Sequence, residues 1–336
     1  MLRWILVIAA SLGLGVLFTY LNIPAAWILG AIIASGAMAL GTGRELRVDR
    51  TFHRFGRGII GVLAAVPLFG VPASELLSYL LPGLVVSAVT VGIGFGGGLL
   101  LSRHGVSRET GVLSMLAGGA SVMPAIATDL GADVRYVALT QYLRLLAVSM
   151  TLPVVASFLT VPGTSTIALN DDIPWWMWLI VAVIALVGSP LAQVVKLPVP
   201  SVFGPLILTV VVSLFVPGGV VAPPLLGILA FLAIGWECGG ALSVPALKRF
   251  ARLLPATITF IVVIMVACAL TGVGLMYWLD ISYFEAYLAT SPGALETVLA
   301  LGAEGGAGPA VIAIQLIRLV SILVIAGYLP KILRRI

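Results

Sequence analysis

Long apolar runs, broken by short polar stretches, fill this chain from end to end. Runs of about 20 residues recur, each long enough as a helix to cross a hydrocarbon core of about 30 Å. In the first half they predict helices near 3–20, 24–41, 57–71, 75–101 and 134–159. In the second half they predict helices near 174–195, 199–216, 222–243, 247–279 and 307–329. Two stretches differ. The segment "SRETGVLSMLAGGASVMPAIATDLG", 107–131, carries Gly118-Gly119 and then Pro124, and reads as two half-helices meeting at a break. The segment 283–305 matches it, with "SPG" (Ser291 to Gly293) at the break and "AEGGAG" at the end. The runs are continuous rather than alternating, which argues against a transmembrane barrel. The opening "MLRWILVIAASLGLGVLFTYLNIP" has one early cation, Arg3, and no clear cleavage site, so it is read as the first helix rather than a signal peptide.

Composition agrees with this pattern. Apolar residues make up 61% of the chain and charged residues 9%, against about 25% charged in a soluble domain. Mean hydropathy is +1.19. Too few polar residues exist to cover a water-facing surface, so the class is an all-α polytopic membrane protein whose first partner is the lipid bilayer. The net charge of +5 resides in loops, as membrane topology requires, and is no argument for nucleic acid. Cys238 and Cys268 fall in expected spans without metal-site spacing, and His53 and His104 lie in separate basic loops.

An internal repeat organises the chain. "TQYLRLLAV" holds Gln141 and Arg144; 174 positions later "IQLIRLVSI" holds Gln315 and Arg318. The same offset relates Pro24 to Pro198, Gly30 to Gly204, Gly61 to Gly235, Gly119 to Gly293 and Gly131 to Gly305. Two membrane repeats are expected, 1–165 and 172–336, with a polar joint at 166–171 inside "TVPGTSTIALNDDIP". Orientation follows from the basic clusters, which should face the cytoplasm. These are Arg44, Arg47, Arg50, Arg54 and Arg57; Arg103 and Arg108; Lys248, Arg249 and Arg252; and Lys331, Arg334 and Arg335. All four fall on one side if each broken segment is a re-entrant hairpin. The expectation is therefore two inverted repeats with about ten transmembrane helices and two re-entrant hairpins. Both termini would be cytoplasmic, in a bacterial plasma membrane.

Inverted repeats with paired broken helices are a recurring transporter plan, with the site where unwound backbone is available. Gly118, Gly119, Pro292 and Gly293 are thus candidate site walls. Residues three apart share a helix face, so Gln141 points with Arg144 and Gln315 with Arg318. An arginine at the centre of a span costs about 2.5–3.5 kcal/mol, which implies a partner or water. Two readings stand side by side. In one, both arginines share an anion. In the other, each Gln–Arg pair clamps its long helix to carbonyls freed at the break. Glu237, in "AIGWECGGA", and Glu296, after the "SPG" break, are candidates for a coupling-ion site or for counter-ions of the arginines. Glu296 also suits the first turn of a helix after a Pro-Gly break. The glycines of "GIGFGGG", 92–98, lie in a span with no strand before them, so they serve packing rather than a dinucleotide, within the chain or between copies in a homo-oligomer. No catalytic nucleophile set, metal-ligand set or cofactor motif is found, and an enzyme is not expected.

The two break regions, "AGGASVMPAIATDLGADVRYVALTQYLRLLAV" and "TSPGALETVLALGAEGGAGPAVIAIQLIRLVSI", resemble the AbrB-type integral membrane family with its internal duplication. The Pro24/Gly30 and Pro198/Gly204 openings belong to the same resemblance, which covers nearly the whole chain. The chain departs from the usual pattern at Ala117-Gly118-Gly119 and at Ala307, where the first half has Asp133. The resemblance implies a membrane regulator of gene expression, or an ammonia monooxygenase by a second label borne by family members. Two histidines, both in loops, suit an oxygenase poorly, because copper or iron would want several converging ligands. The leading expectation is a secondary transporter or exporter of a small anionic solute, ahead of a regulator acting through a partner or through transport.

Overall fold

The computed structural model describes residues 2–21, 23, 25–103, 106–117, 122–159, 173–197, 199–241 and 254–333. Gly118, Gly119, Pro24, Pro198, His104, the joint 166–171 and the cations Lys248, Arg249, Arg252, Arg334 and Arg335 lie outside them. Every regular element among the described residues is helical. In the first half these are α1 (Leu2–Tyr20), α2 (Ala26–Thr42), α3 (Arg50–Ala65), a 3-10 turn (Val66–Leu68), α4 (Ala73–Ser78), α5 (Leu80–Ser102), α6 (Arg108–Met115), α7 (Val122–Asp129) and α8 (Val134–Ala156). The second half repeats the series with α9 (Trp175–Val194), α10 (Pro200–Ser213), α11 (Pro224–Gly240), α12 (Leu254–Leu279), α13 (Tyr283–Thr290), α14 (Leu295–Glu304) and α15 (Pro309–Leu333).

Six stretches are long and apolar enough to cross a membrane, within Arg3–Tyr20, Ala73–Ser102, Val134–Ala156, Trp175–Val194, Ile258–Leu279 and Pro309–Ala326. Helices α2, α10 and α11 are apolar but shorter. The chain is a polytopic helical membrane protein. Helix α3 begins before the apolar run at 57 because Asp49 caps it, accepting from Thr51 N at 2.9 Å and Phe52 N at 3.0 Å. That cap draws Arg50, His53, Arg54 and Arg57 into the helix.

The duplication is visible in backbone details. Ala25 and Val199, 174 positions apart, both take left-handed conformations at the entry to the second helix of their half. Such φ values are rare for residues with a Cβ, and more so for β-branched valine. Ser107 and Ser282 cap α6 and α13 with their hydroxyls. Gly131 and Gly306 both take positive φ after α7 and α14. Through the broken segments the register is therefore 175 positions, so Gly131 pairs with Gly306 rather than with Gly305. The offset returns to 174 at the Gln–Arg pairs.

The chain forms two compact units, and each draws helices from both halves. Unit 1 spans Met1–Pro72, Met150–Lys248 and Leu295–Pro309. Within it α1 packs on α2 and α9 on α10, while α2 packs on α11 and α3 on α10. The third helix of each half thus lies on the second helix of the other. Glycine makes these approaches possible: a Cβ at Gly204 would run into the backbone of Gly188, and one at Gly30 would stand 2.9 Å from Gly15 N. Unit 2 spans Ala73–Ser149, Arg249–Ala294 and Ala310–Ile336. There α5 packs on α6 and α12 on α13. Gly94 and Gly98 of the 92–98 run face α6, whereas Gly92 and Gly96 face open space.

Candidate functional site

In unit 2, α6 starts on its serine cap and ends at Met115, where Leu116 turns extended. A helix end leaves carbonyls without helical partners. Gln141, from α8, supplies the missing donors. Its Nε2 donates to Leu113 O at 2.7 Å and to Leu116 O at 2.8 Å. Arg144, one turn on, donates from Nη1 to Leu116 O at 2.8 Å. The second half repeats the arrangement. Helix α13 ends at Thr290 and Ser291 turns extended. Gln315 Nε2 donates to Leu288 O at 2.7 Å, and Arg318 Nη1 donates to Ser291 O and, at 3.3 Å, to Thr290 O. Each Gln–Arg pair therefore caps the C-terminal end of a half-helix with side-chain donors, and a cation there complements the helix dipole.

These caps are buried. Gln141 is 0% exposed, Arg144 1%, Gln315 1% and Arg318 5%. Both guanidinium groups belong to unit 2, and the charge of Arg318 acts on Arg144. Among the described residues neither arginine has a carboxylate partner; the two ion pairs found are elsewhere. Both glutamine amides turn Nε2 to the helix end, which leaves Gln141 Oε1 and Gln315 Oε1 buried without a donor. Arg144 Nε is likewise without an acceptor. Pro292 is buried and Gly293 half-buried in the extended backbone after α13.

The remaining candidates lie in unit 1. Glu296, in the first turn of α14, accepts from Arg57 Nη2 at 2.7 Å, and the side chains are 18% and 31% exposed. Sequence reasoning assigned Arg57 to a cytoplasmic basic cluster and so missed this pair, whose members are 239 residues apart. Glu237 is exposed in the last turn of α11. Sequence reasoning also missed Glu304, the last residue of α14, which is 9% exposed and lines a cavity. Its signal is the one-residue slip in the repeat: the register through the broken segments pairs Glu304 with Asp129, the last residue of α7, whereas the 174 offset pairs it with Leu130. Asp129 is exposed. Asp133 is also exposed and caps α8, accepting from Arg135 N and Tyr136 N, both at 3.0 Å. Among the described residues no three His, Cys, Asp or Glu side chains converge as a metal-ligand set.

Duplicated half-helices, capped by buried Gln–Arg pairs and set among membrane-length helices, define a polytopic membrane protein with an internally repeated polar centre. The family model for "Transition state regulatory protein AbrB" matches residues 27–334. A protein of Escherichia coli (strain K12) named "Putative regulator AbrB" is 32% identical over 351 aligned positions, covering 98% of each chain. This chain belongs to the AbrB family.

Proposed function

We propose that this chain is a secondary transporter of a small anionic solute, and that Arg144 and Arg318 hold the anion. One observation carries the reading: two buried guanidinium groups share one compact unit, with no carboxylate partner among the described residues. The helix-end carbonyls they cap supply partial negative charge, about half an elementary charge per helix end. Two full positive charges exceed that. Mutual repulsion and the cost of burial favour a mobile anion that can enter and leave. The free Oε1 atoms of Gln141 and Gln315 add acceptors for a hydroxyl or amide on the solute. The half-helix caps and the anion seat are then two roles of the same side chains. In this reading the repeats are inverted, about ten helices cross, the broken segments re-enter, the termini face the cytoplasm, and the repeated plan supports alternating access.

The test is a thermal-shift screen of small organic anions on the purified protein, followed by flux of any hit in proteoliposomes. A ligand that stabilises wild type but neither Arg144→Gln nor Arg318→Gln is the expected result. Absence of saturable flux over a broad panel, with a protein partner co-purifying in stoichiometric amount, would favour the other reading. That second reading, a membrane regulator of gene expression, is favoured by the names of the family and of the E. coli relative. The two converge if the regulatory effect follows from movement of a metabolite. In that case the Arg144→Gln/Arg318→Gln double variant loses flux and regulation together.

A further inference from the structure

We propose that the cavity around Glu304 in unit 1 binds a small organic amine, with the ammonium on the Glu304 carboxylate and the apolar body against Leu63, Val66 and Phe231. The cavity has a volume of 530 Å³. Leu63 comes from the end of α3 and Val66 from the 3-10 turn that follows it, Val221 and Phe231 from α11 and its approach, and Ile173 from the chain before α9. Among the described residues Glu304 is the acidic side chain lining the cavity, and no lysine, arginine or histidine lines it. Its Oε1 accepts one long hydrogen bond, from Trp27 N at 3.2 Å. Its Oε2 is buried and has no partner among the described residues.

Three features select the ligand. A buried carboxylate without a cation or a full set of donors is costly, so Glu304 must either hold a proton or meet a positive donor, and a bound ammonium supplies both the proton and the charge. The position sharpens this, because Glu304 closes the C-terminal end of α14, where the helix dipole already opposes a carboxylate. The volume and lining then exclude a bare cation as the best fit. A metal ion would need several oxygen ligands, and the cavity wall offers one carboxylate amid apolar side chains. A cavity of this size suits a small organic molecule. An ammonium group with a hydrocarbon or aromatic body satisfies charge, hydrogen bonding and surface together, whereas an alcohol of the same shape supplies a donor but no charge.

The experiment uses the full-length protein in lipid nanodiscs and two probes of one shape, phenethylamine and phenethyl alcohol, titrated by calorimetry. Wild type should bind the amine saturably and the alcohol at least tenfold more weakly. Glu304→Gln should weaken the amine at least tenfold and bring the two probes together. Gly227→Val serves as a second variant: a Cβ at Gly227 meets only Leu63 Cδ1, at 3.7 Å, so the backbone accepts it while the cavity shrinks. It should also weaken the amine about tenfold and leave any Arg144-dependent anion binding unchanged. If Glu304→Gln does not fold, Gly227→Val decides. The proposal is overturned if folded wild type shows no saturable amine binding, if the alcohol binds as well as the amine, or if a folded variant binds the amine as wild type does.

Discussion

Arg57, in the middle of α3, and Arg144, in the middle of α8, each reach to the end of another helix, and their charges are handled in opposite ways. Arg57, in unit 1, meets Glu296 at 2.7 Å. Its charge is neutralised locally, and the side chain remains 31% exposed. Arg144, in unit 2, is 1% exposed and meets a backbone carbonyl, with Arg318 rather than a carboxylate as its charged neighbour. The first arrangement is complete as architecture. The second satisfies the helix-end carbonyls but leaves Arg144 Nε, Gln141 Oε1 and the charge without a partner among the described residues, and in the proposed function that remaining charge is what separates a clamp from a seat. In the proposed function the clamp and the anion site are not rival readings of the Gln–Arg pairs: the glutamines would carry more of the first role and the arginines more of the second.

The sharpest way to break this comparison is to remove charge from each unit in turn. The Arg144→Gln/Arg318→Gln double variant should lose anion affinity at least a hundredfold, or about 2.7 kcal/mol. The Arg57→Gln/Glu296→Gln double variant should stay within threefold of wild type. Both are read by the same ligand-induced thermal shift, and the reverse ranking would move the site to unit 1. Stability should divide the clamp differently. Gln141→Leu leaves Leu113 O without its short bond and weakens the cap on Leu116 O, at a cost of about 2–3 kcal/mol. Arg144→Gln should change stability by less than about 1 kcal/mol, because release from burying a charge offsets the lost carbonyl bond. Reversible unfolding in mixed detergent measures both, and an arginine that proves costlier than the glutamine would return it to a purely structural role.

This division was only half legible in the amino-acid order. Helices α1, α2, α5, α8, α9, α10, α11 and α15 lie close to their apolar runs, and both broken segments resolve into half-helices, because these features depend on local pattern and on Ser, Gly and Pro at the ends. The shared face of Gln141 and Arg144 follows from helical spacing alone. What they touch does not, since the accepting carbonyls belong to backbone that any sequence has. The unit boundaries were also hidden: contact groups helices of both halves together, while the repeat divides the chain at 166–171. Glu304 shows the limit most clearly. Its burial depends on chain brought from 277 residues away at Trp27, and the 174 offset seen elsewhere pairs it with a leucine. The matched serine caps, Ser107 and Ser282, and the matched left-handed glycines, Gly131 and Gly306, restore the register that aligns it with Asp129.

A smaller effect tests the architectural side. Arg57 and Glu296 are partly exposed, so their pairing is screened and should be worth about 1 kcal/mol. A double-mutant cycle with Arg57→Gln and Glu296→Gln in the same unfolding assay isolates that coupling from the separate cost of each change. Coupling near zero would mean that the pair is incidental and that the packing of α3 on α14 holds the two helices together without it. Coupling of about 3 kcal/mol or more, the range of buried pairs, would instead place Arg57 with Arg144 as a charge kept from solvent.

The smallest effect belongs to the exposed end of the same series. Arg47 and Glu45 approach at 3.5 Å with side chains 88% and 41% exposed. Such a pair contributes about 0–1 kcal/mol, and at this distance and exposure the lower end applies. Arg47→Ala should therefore leave unfolding unchanged within error, at low and at high salt alike. Asp49→Ala, two residues on, is the control. It removes the acceptor for Thr51 N and Phe52 N at the start of α3 and should cost about 1 kcal/mol. That helix carries Arg57 about two turns later, so a frayed start should also weaken the Arg57–Glu296 coupling. A response to Arg47→Ala as large as the response to Asp49→Ala would show that net charge, rather than burial and hydrogen-bond geometry, sets the ranking of these arginines.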